Sequence, residues 1–256
     1  MSGSSGNAIY IETAKAKFLI DAGAPGKRIA QALQSLDIDA RELDAVVITH
    51  AHRDHVCGAG VISRRYNLPL YATAGTWQEM SGLIGEVKPG LTFFIEKEQC
   101  LQLKDAVIEP FSVSHDALDP VGFVISSESR RVGIATDCGV FTAKMGAKLA
   151  NLDCLILEAN HDIEMLHKGP YPWPLKKRIA GATGHLSNAG AGQALSKIIG
   201  ERTRNVILAH LSEQNNLPEL ALETVQSVLE ESRVNLQEVK LSVAPRHRPG
   251  YCLNIG

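Results

Sequence analysis

The sequence Thr-His-Ala-His-Arg-Asp-His at residues 49–55 follows directly on the apolar run Ala45–Ile48. That run is short, rich in β-branched residues and bounded by polar sequence, which predicts a buried strand. The histidines therefore lie where a strand ends and a loop begins, a common place for binding sites in α/β folds. His50 and His52 are two residues apart, so an extended chain would point both side chains to the same side.

Four side chains of this heptapeptide can bind a metal ion, namely His50, His52, Asp54 and His55. Neutral imidazole nitrogens and carboxylate oxygens suit a borderline divalent ion such as zinc, with manganese or iron as alternatives. The competing interpretation is an exposed polar loop that happens to be rich in histidine. Four potential ligands so close together at a strand end favour the metal site.

The composition is that of a globular chain. Its 256 residues are 45% hydrophobic with 22 glycines, which fits either one large α/β domain or two small ones. We predict a single domain over residues 1–256, because no low-complexity linker or fixed-period repeat interrupts the sequence. The formal net charge of −2 argues against an overall basic coat for nucleic acid but allows a local basic groove.

The five cysteines are odd in number and widely spaced, without a CxxC pair. This spacing indicates neither a disulfide framework nor a cysteine zinc site. No apolar run approaches the ~18 residues of a membrane span, and the N-terminus lacks the pattern of a signal peptide. We therefore expect the reducing cytoplasm as the location and no membrane partner.

Hairpins and βα units alternate along the predicted elements, which implies mixed sheets with helices outside and an α/β (α+β) class. The segment Pro170–Pro174 is expected to be irregular, because three prolines remove backbone donors and fix φ. Ser187 is a plausible N-cap for a helix that extends through Ile199. Predicted strands include about residues 7–12, 16–21, 45–49, 107–113, 121–126, 131–135, 154–157, 206–209 and 239–243, and predicted helices about residues 29–36, 58–67, 76–83, 142–150, 175–180, 188–199 and 218–231.

Metal-capable side chains follow the ends of several predicted strands. The residues at these positions are His50, His115, Asp137, Glu158 and His210. Any polar residue would terminate a strand, so this repeated choice favours a metal site at one rim of the sheets. Taken alone, His115 or His210 would more often be a hydrogen-bonded structural histidine, and Asp137 a turn residue.

The number of candidates predicts two metal ions. The candidate ligands are His50, His52, Asp54, His55, His115, Asp137 and His210. Seven ligands exceed the three or four that one zinc ion accepts, and a carboxylate such as Asp137 could bridge two ions. Two ions roughly 3.5–4 Å apart can deprotonate a water and stabilise a transferring phosphoryl or acyl group.

This pattern resembles the metallo-β-lactamase fold superfamily over nearly the whole chain. The resemblance implies a four-layer αβ/βα sandwich of two mixed β-sheets flanked by helices, with a dinuclear site at the edge between the sheets. It also implies that the first metal takes His50, His52 and His115. The second would take Asp54, His55 and His210, with Asp137 bridging, and Asp54 would also orient the attacking water.

Further segments resemble the bacterial YycJ/WalJ-like branch, whose members are regarded as metal-dependent DNA exonucleases with a proposed 5′→3′ action on duplex ends. The resemblance implies that the opening Ser2–Ala8 is a native glycine-rich turn, although Met1–Gly6 also resembles an expression-tag scar. The matching segments are residues 2–8, 21–23, 157–162, 184–188 and 210–216.

Glu158 and His185 resemble the pair that, in tRNA 3′-processing endonucleases, positions a proton donor for the leaving oxygen. A general acid near the metals is useful because a phosphodiester leaving group is poor unless protonated. The competing interpretation is a helix-entry histidine paired with a carboxylate for stability. His161 is expected close to the ligands, whereas His167 and His247 are expected at the surface.

Aromatic and basic residues alternate in residues 168–178, just before His185. Phosphates would favour the cations, and bases could stack on an aromatic ring. We expect substrate contact from Trp173, Lys176, Lys177 and Arg178, although short charge runs are usually solvated faces. A second basic cluster, Arg246–Arg248, lies near the C-terminus.

Together these features predict a dinuclear metal-dependent phosphodiesterase, most specifically a DNA exonuclease. A metal-bound hydroxide oriented by Asp54 would attack, and His185 would protonate the leaving group. The first alternative is a small-molecule hydrolase of the same fold, acting on a cyclic phosphodiester or a thioester. The second is a metal-binding interaction protein without turnover, against which the intact ligand set argues.

Overall fold

The structure is a computed structural model that describes residues 1–3, 6–250 and 252–255. Ser4 and Ser5, in the predicted glycine-rich opening turn, lie outside the described residues. The chain divides into two compact units. Unit 1 comprises Met1–Pro110, Ala117–Val121 and Pro245–Asn254, and unit 2 comprises Phe111–Asp116, Gly122–Ala244 and Ile255–Gly256. The single domain expected over residues 1–256 stays a prediction.

Unit 1 is built on a five-stranded sheet of order β1-β2-β3-β4-β5. The first two strands are antiparallel and the remaining pairs are parallel. The strands of this sheet are β1 (Ile9–Glu12), β2 (Lys17–Ile20), β3 (Ala45–Val47), β4 (Leu70–Ala72) and β5 (Thr92–Phe94). Two further strands, β6 (Leu101–Leu103) and β7 (Ala106–Ser112), pair antiparallel with each other, and β7 continues into unit 2. The helices of unit 1 are α1 (Gly26–Gln34), α2 (Arg53–Val56), α3 (Ala59–Tyr66) and α4 (Ala74–Ile84).

The core of unit 1 positions the histidine motif. Strand β3 is completely buried, as expected for an apolar run inside a parallel sheet. Helix α1 contributes Ile29 and Leu33 to the same core, which confirms the helical period read from the sequence. The chain leaves the buried strand at Val47 and enters α2 at Arg53, so His50 and His52 lie in the connecting loop.

Unit 2 contains a run of strands in the order β12-β11-β10-β9-β8. Strands β9 to β12 are parallel neighbours, whereas β8 and β9 form an antiparallel hairpin. The strands are β8 (Val121–Ser127), β9 (Arg130–Ala135), β10 (Cys154–Glu158), β11 (Asn205–Ala209) and β12 (Lys240–Val243). The helices are α5 (Ala143–Leu149), α6 (Ile163–Lys168), α7 (Trp173–Ile179), α8 (Asn188–Ile198) and α9 (Pro218–Glu231).

The parallel register of unit 2 gathers the predicted strand-end residues. Because β9, β10 and β11 run in the same direction, their carboxyl ends meet at one edge of the sheet. Asp137 follows β9 by two residues, Glu158 is the last residue of β10, and His210 follows β11 directly. The α/β class, with two mixed sheets flanked by helices, is confirmed.

One local prediction was wrong. The proline-rich segment 170–174 is not wholly irregular, because helix α7 already begins at Trp173 with a proline in its first turn. The first-turn N–H groups of a helix have no intrahelical acceptor, so a proline there removes nothing that the helix needs. The predicted N-cap is confirmed: Ser187 Oγ accepts a hydrogen bond from the N–H of Gly190 at 3.1 Å.

Among the helices that the structure describes, none has both the length and the apolar character needed to cross a bilayer.

Candidate metal centre

The predicted ligands of unit 1 form a tight histidine cluster. The ring centroids of His50 and His55 are 4.1 Å apart, and those of His50 and His52 are 4.7 Å apart. His50 and His55 are buried, and Asp54 lies beside His55 with 3.7 Å between its Oδ2 and Nε2 of His55. The four ligands predicted from residues 49–55 are therefore neighbours in space as well as in sequence.

A buried carboxylate orients this cluster. Asp21 accepts hydrogen bonds from the backbone N–H of Thr49 at 2.8 Å and from Thr49 Oγ1 at 2.9 Å. Its Oδ2 also lies 2.7 Å from Nδ1 of His55. This contact places the ring proton on Nδ1 and leaves Nε2 as the unprotonated nitrogen of the neutral ring. Metal-ligating histidines typically have such a carboxylate partner, so the arrangement fits a metal site.

Asn7 fixes the segment that carries Asp54 and His55. Its backbone N–H donates to the carbonyl oxygen of Asp54 at 2.8 Å, and its side-chain amide nitrogen lies 3.0 Å from Nε2 of His55. Gly23 allows the close approach, because a Cβ there would lie 1.5 Å from the carbonyl oxygen of Asp54. Asn7 and Asp21 received no role from the sequence, although both lie in segments that resemble the YycJ/WalJ-like branch.

In unit 2, Glu158 is fully buried and lies between the rings of His185 and His210. Its Oε1 lies 2.7 Å from Nδ1 of His185 and 2.9 Å from Nδ1 of His210. Its Oε2 accepts hydrogen bonds from the N–H groups of Cys138 and Leu186, each at 3.1 Å. Burial opposes the charge, but the charge of His185 and the hydrogen bonds from the rings of His185 and His210 outweigh it and lower the pKa of Glu158 to about 2. Glu158 is therefore a carboxylate at neutral pH.

Three histidines of unit 2, His115, His185 and His210, direct their Nδ1 atoms at oxygen acceptors. Besides His185 and His210, His115 has its Nδ1 3.1 Å from the carbonyl oxygen of Gly184. Each contact places a proton on Nδ1, so that Nε2 is the unprotonated nitrogen when the ring is neutral. His115 and His210 are buried, whereas the side chain of His185 is 20% exposed.

His185 differs from its neighbours in its ability to hold a proton. Burial lowers its pKa, but the nearby Glu158 carboxylate outweighs burial and the net shift is upward. A histidine with a raised pKa and partial exposure can be charged near neutral pH. Such a group suits proton donation better than metal ligation.

Asp137 lies among the histidines of unit 2. Its Oδ1 is 3.5 Å from Nδ1 of His210, 3.6 Å from Nδ1 of His185 and 3.6 Å from Nε2 of His115. Asp137, Glu158, His185 and His210 each offer one nitrogen or oxygen atom, and these atoms lie within 4.8 Å of one another. This donor chemistry fits a divalent metal ion.

Three residues of these clusters have a backbone in the left-handed region. Asp21, Asp137 and His210 have φ angles of 63°, 58° and 56°. A non-glycine residue in such a conformation costs about 1–3 kcal/mol, and such strain is concentrated at functional sites. The strained backbone turns these side chains at the strand ends, in agreement with a functional role.

The predicted substrate residues have different surroundings. Trp173 is 58% exposed, and Nζ of Lys177 lies 5.5 Å from the centre of its ring. Lys176 donates from Nζ to the carbonyl oxygen of His167 at 2.7 Å. Arg178 donates from Nε to the carboxylate of Asp116, which follows the predicted ligand His115. Arg178 therefore already has an anionic partner.

Next to His185, unit 2 has a pocket of about 430 Å³. His161 lines it beside His185 and is only 3% exposed; its expected place close to the ligands stays a prediction. Burial lowers the pKa of His161 to about 4, so its imidazole is neutral at pH 7. His167, expected at the surface, is exposed and also lines the pocket.

Known proteins resemble the chain in sequence. A family model described as "Beta-lactamase superfamily domain" matches residues 16–211. Exodeoxyribonuclease WalJ of Streptococcus pneumoniae serotype 2 strain D39 is 41% identical over 230 residues, which cover 89% of this chain and 86% of WalJ. Exodeoxyribonuclease YycJ of Bacillus anthracis is 36% identical over 237 residues, which cover 93% of this chain and 90% of YycJ.

A solved structure supports the fold. The metallo-β-lactamase fold protein YhfI from Bacillus subtilis superimposes with a TM-score of 0.72 at 16% sequence identity, covering 98% of this chain and 94% of YhfI. The expected metallo-β-lactamase fold is confirmed, and this fold implies divalent metal ions.

Proposed function

The chain belongs to the β-lactamase superfamily, in the family of the exodeoxyribonucleases WalJ and YycJ, and we propose that it is itself a metal-dependent exodeoxyribonuclease. The observation that carries the proposal is an identity of 36–41% that extends over 86–90% of those relatives. We propose a 5′→3′ direction on duplex DNA, with phosphodiester hydrolysis as the reaction.

We propose that the seven ligands predicted from the sequence hold two divalent ions, zinc first and manganese or iron as alternatives. The oriented imidazoles support this assignment, because His55, His115 and His210 each direct Nδ1 at an oxygen acceptor. When bound, the ions would activate a water and offset charge on the phosphoryl group. The proposed ligands are His50, His52, Asp54, His55, His115, Asp137 and His210.

The protein groups would move two protons. Asp54 would orient the attacking water and take its proton, while His185 would donate a proton from Nε2 to the leaving O3′. The bond between phosphorus and O3′ breaks as the bond from phosphorus to the water oxygen forms. Glu158, 2.7 Å from Nδ1 of His185, would stabilise the charged ring before the transfer.

We propose that residues 1–256 act as one catalytic domain, since the family model spans residues 16–211 and so includes parts of both units. The five cysteines are free thiols, which supports action in the reducing cytoplasm.

A test of the nuclease activity uses protein purified without chelator, with its metal content measured. Linear duplex DNA with labelled 5′-phosphate ends should release mononucleotides stepwise, whereas a covalently closed circle should stay intact. A panel of small cyclic phosphodiesters and thioesters is assayed in parallel, because the near-neutral net charge of −2 favours a small-molecule hydrolase as the second candidate. Activity confined to those small esters would contradict the nuclease.

A second test addresses His185 as the proton donor. His185→Ala should slow the cleavage of ordinary DNA by about 10²–10⁴-fold, the usual contribution of general acid–base catalysis. A substrate with sulfur in place of the bridging O3′ has a better leaving group and should restore most of the rate. His247→Ala is the matched control, because His247 is an exposed histidine of unit 1. Equal losses on the oxygen and sulfur substrates would contradict proton donation by His185.

A further inference from the structure

The pocket beside His185 is lined by a histidine, His161, that also has a buried nitrogen without a hydrogen-bond partner in the described part of the chain. Nδ1 of His161 has no hydrogen-bond partner among the described residues, although the side chain is almost completely buried. Such atoms are rare in folded proteins, because a buried donor or acceptor without a partner has lost its hydrogen bonds to water. The neutral imidazole offers one donor and one acceptor, so a ligand could form a hydrogen bond with the part of the ring that lines the pocket.

The same pocket is lined by an exposed aromatic ring and two cations. Trp173 begins α7, and its ring packs edge-on against His167 with 6.3 Å between the ring centroids. Lys176 and Lys177 line the pocket with it. Folding alone does not require an indole that is 58% exposed. An exposed ring with nearby ammonium groups suits a planar base attached to a phosphate.

The position of His185 in the lining of the pocket indicates which part of the substrate would bind there. His185 lines the pocket, and in the proposed reaction it protonates O3′ of the leaving nucleotide. In 5′→3′ digestion that oxygen belongs to the terminal nucleotide, which departs as the mononucleotide. A volume of about 430 Å³ lies within the ~300–1,000 Å³ typical of small-ligand sites, which suits a single nucleotide better than a long strand.

We propose that this pocket of unit 2 binds the terminal nucleoside of the DNA strand, with its base on Trp173 and a polar group of the nucleoside hydrogen-bonded to His161. This inference rests on the proposed exonuclease function. It explains how one nucleotide is released at a time, because the pocket accommodates one nucleoside next to the proton donor. Lys176 and Lys177 provide positive charge for the phosphate of that nucleotide.

The experiment compares two duplexes that differ only at the 5′-terminal nucleotide, which is normal in one and abasic in the other. The first cleavage is measured under single-turnover conditions with the full-length, metal-loaded protein. The wild type should cleave the normal duplex faster, by roughly fivefold to a hundredfold, the range for stacking of one base on an aromatic ring. The chemistry at O3′ is the same in both, so the ratio reports on binding of the base.

Trp173→Ala should abolish this ratio by slowing only the normal duplex, whereas Trp173→Phe should retain part of it. His161→Phe should also reduce the ratio, because the ring volume stays while the polar atoms are lost. Leu83→Ala is the matched control, since Leu83 is a 63% exposed apolar residue of unit 1. Circular dichroism shows whether each variant is folded, and Trp173→Phe provides the test if Trp173→Ala does not fold.

The possible results distinguish failure of nucleoside binding in the pocket from failure of the exonuclease activity. If the wild type cleaves both duplexes at the same rate, the terminal base is not bound and the inference is overturned while the exonuclease stands. The inference is also overturned if Trp173→Ala slows both duplexes equally. Failure of the wild type to cleave either duplex contradicts the exonuclease itself.

Discussion

Strand β10 has a buried carboxylate at each end: Asp153 lies just before its first residue, and Glu158 is its last. Asp153 accepts a hydrogen bond from the backbone N–H of Arg131 at 2.8 Å. The guanidinium groups of Arg130 and Arg202 approach the same carboxylate at 3.3 Å and 3.0 Å. Each of its cationic partners is an arginine, which stays charged at any physiological pH.

Glu158, at the other end of β10, also accepts several hydrogen bonds, but from different groups. Its side-chain partners are His185 and His210, whose rings can gain or lose a proton and can bind a metal ion through the second nitrogen. Burial is therefore common to both ends, and the kind of partner distinguishes them. Permanently charged arginines stabilise the fold at Asp153, whereas the histidines at Glu158 can take part in chemistry.

The largest effect is expected from removing the metal ions that we assign to the Glu158 end of β10. Removing the metal with a chelator should reduce nuclease activity below detection, a larger loss than the ~10–100-fold expected for changing a hydrogen-bond partner of a ligand. Asp137→Ala should have the same effect, because Asp137 lies among the histidines of the Glu158 end. Readdition of zinc or manganese should restore activity to the wild type only. Full activity in a protein shown to be metal-free would contradict the assignment.

Glu158→Gln should lower activity by about 10–100-fold, because the neutral amide no longer stabilises a charged His185 or orients His210. The measurement is the rate of DNA cleavage together with the bound metal per chain. Asp153→Asn is the matched variant at the other end of the strand and should retain activity and metal. If the two variants lost activity to the same extent, the distinction between the two ends would be wrong.

Asp153→Asn should instead lower the free energy of unfolding by about 1–3 kcal/mol, the cost of leaving buried hydrogen-bonding groups poorly satisfied. Burial opposes the charge of Asp153, but the N–H of Arg131 and the guanidinium of Arg202 outweigh it, so the pKa of Asp153 is lowered. The contribution of the charge is therefore complete above the unfolded pKa of about 3.9 and is lost as the pH falls through the lower folded pKa. Urea unfolding of both proteins from pH 7 to pH 3 should show their difference shrink only at the acidic end. A difference that persisted unchanged at pH 3 would argue against this ion pairing.

The smallest effect is expected from removing one arginine of the Asp153 end. Arg130→Gln should cost less than about 1 kcal/mol, because its side chain is 46% exposed and water screens the pair. Arg202→Gln should cost more, since Arg202 contacts both oxygens of Asp153 and also donates to the carbonyl oxygen of Ser129. Thermal unfolding of the two variants side by side shows which one loses more stability. A larger loss for Arg130→Gln than for Arg202→Gln would contradict this prediction.

Much of the candidate centre could be predicted from the sequence because its signals are local. The spacing of His50, His52, Asp54 and His55 is a pattern of six residues, and apolar runs mark the strands that precede His115, Asp137 and His210. The start of α7 was missed because three nearby prolines indicate an irregular segment, although a proline in the first turn is compatible with a helix.

Sequence alone determined which residue types stand at the strand ends, because ligand spacing and strand periodicity are properties of neighbouring residues. Only the tertiary structure decided which nitrogen of each histidine ring contacts an oxygen acceptor. Asp21 and His55 are 34 residues apart, Glu158 and His210 are 52 apart, and His115 and Gly184 are 69 apart. The two carboxylates of β10 look alike in the sequence, because each is an acidic residue at one boundary of an apolar run. Only the folded chain surrounds Asp153 with arginines and Glu158 with histidines, because hydrogen bonds depend on distance in space rather than in sequence.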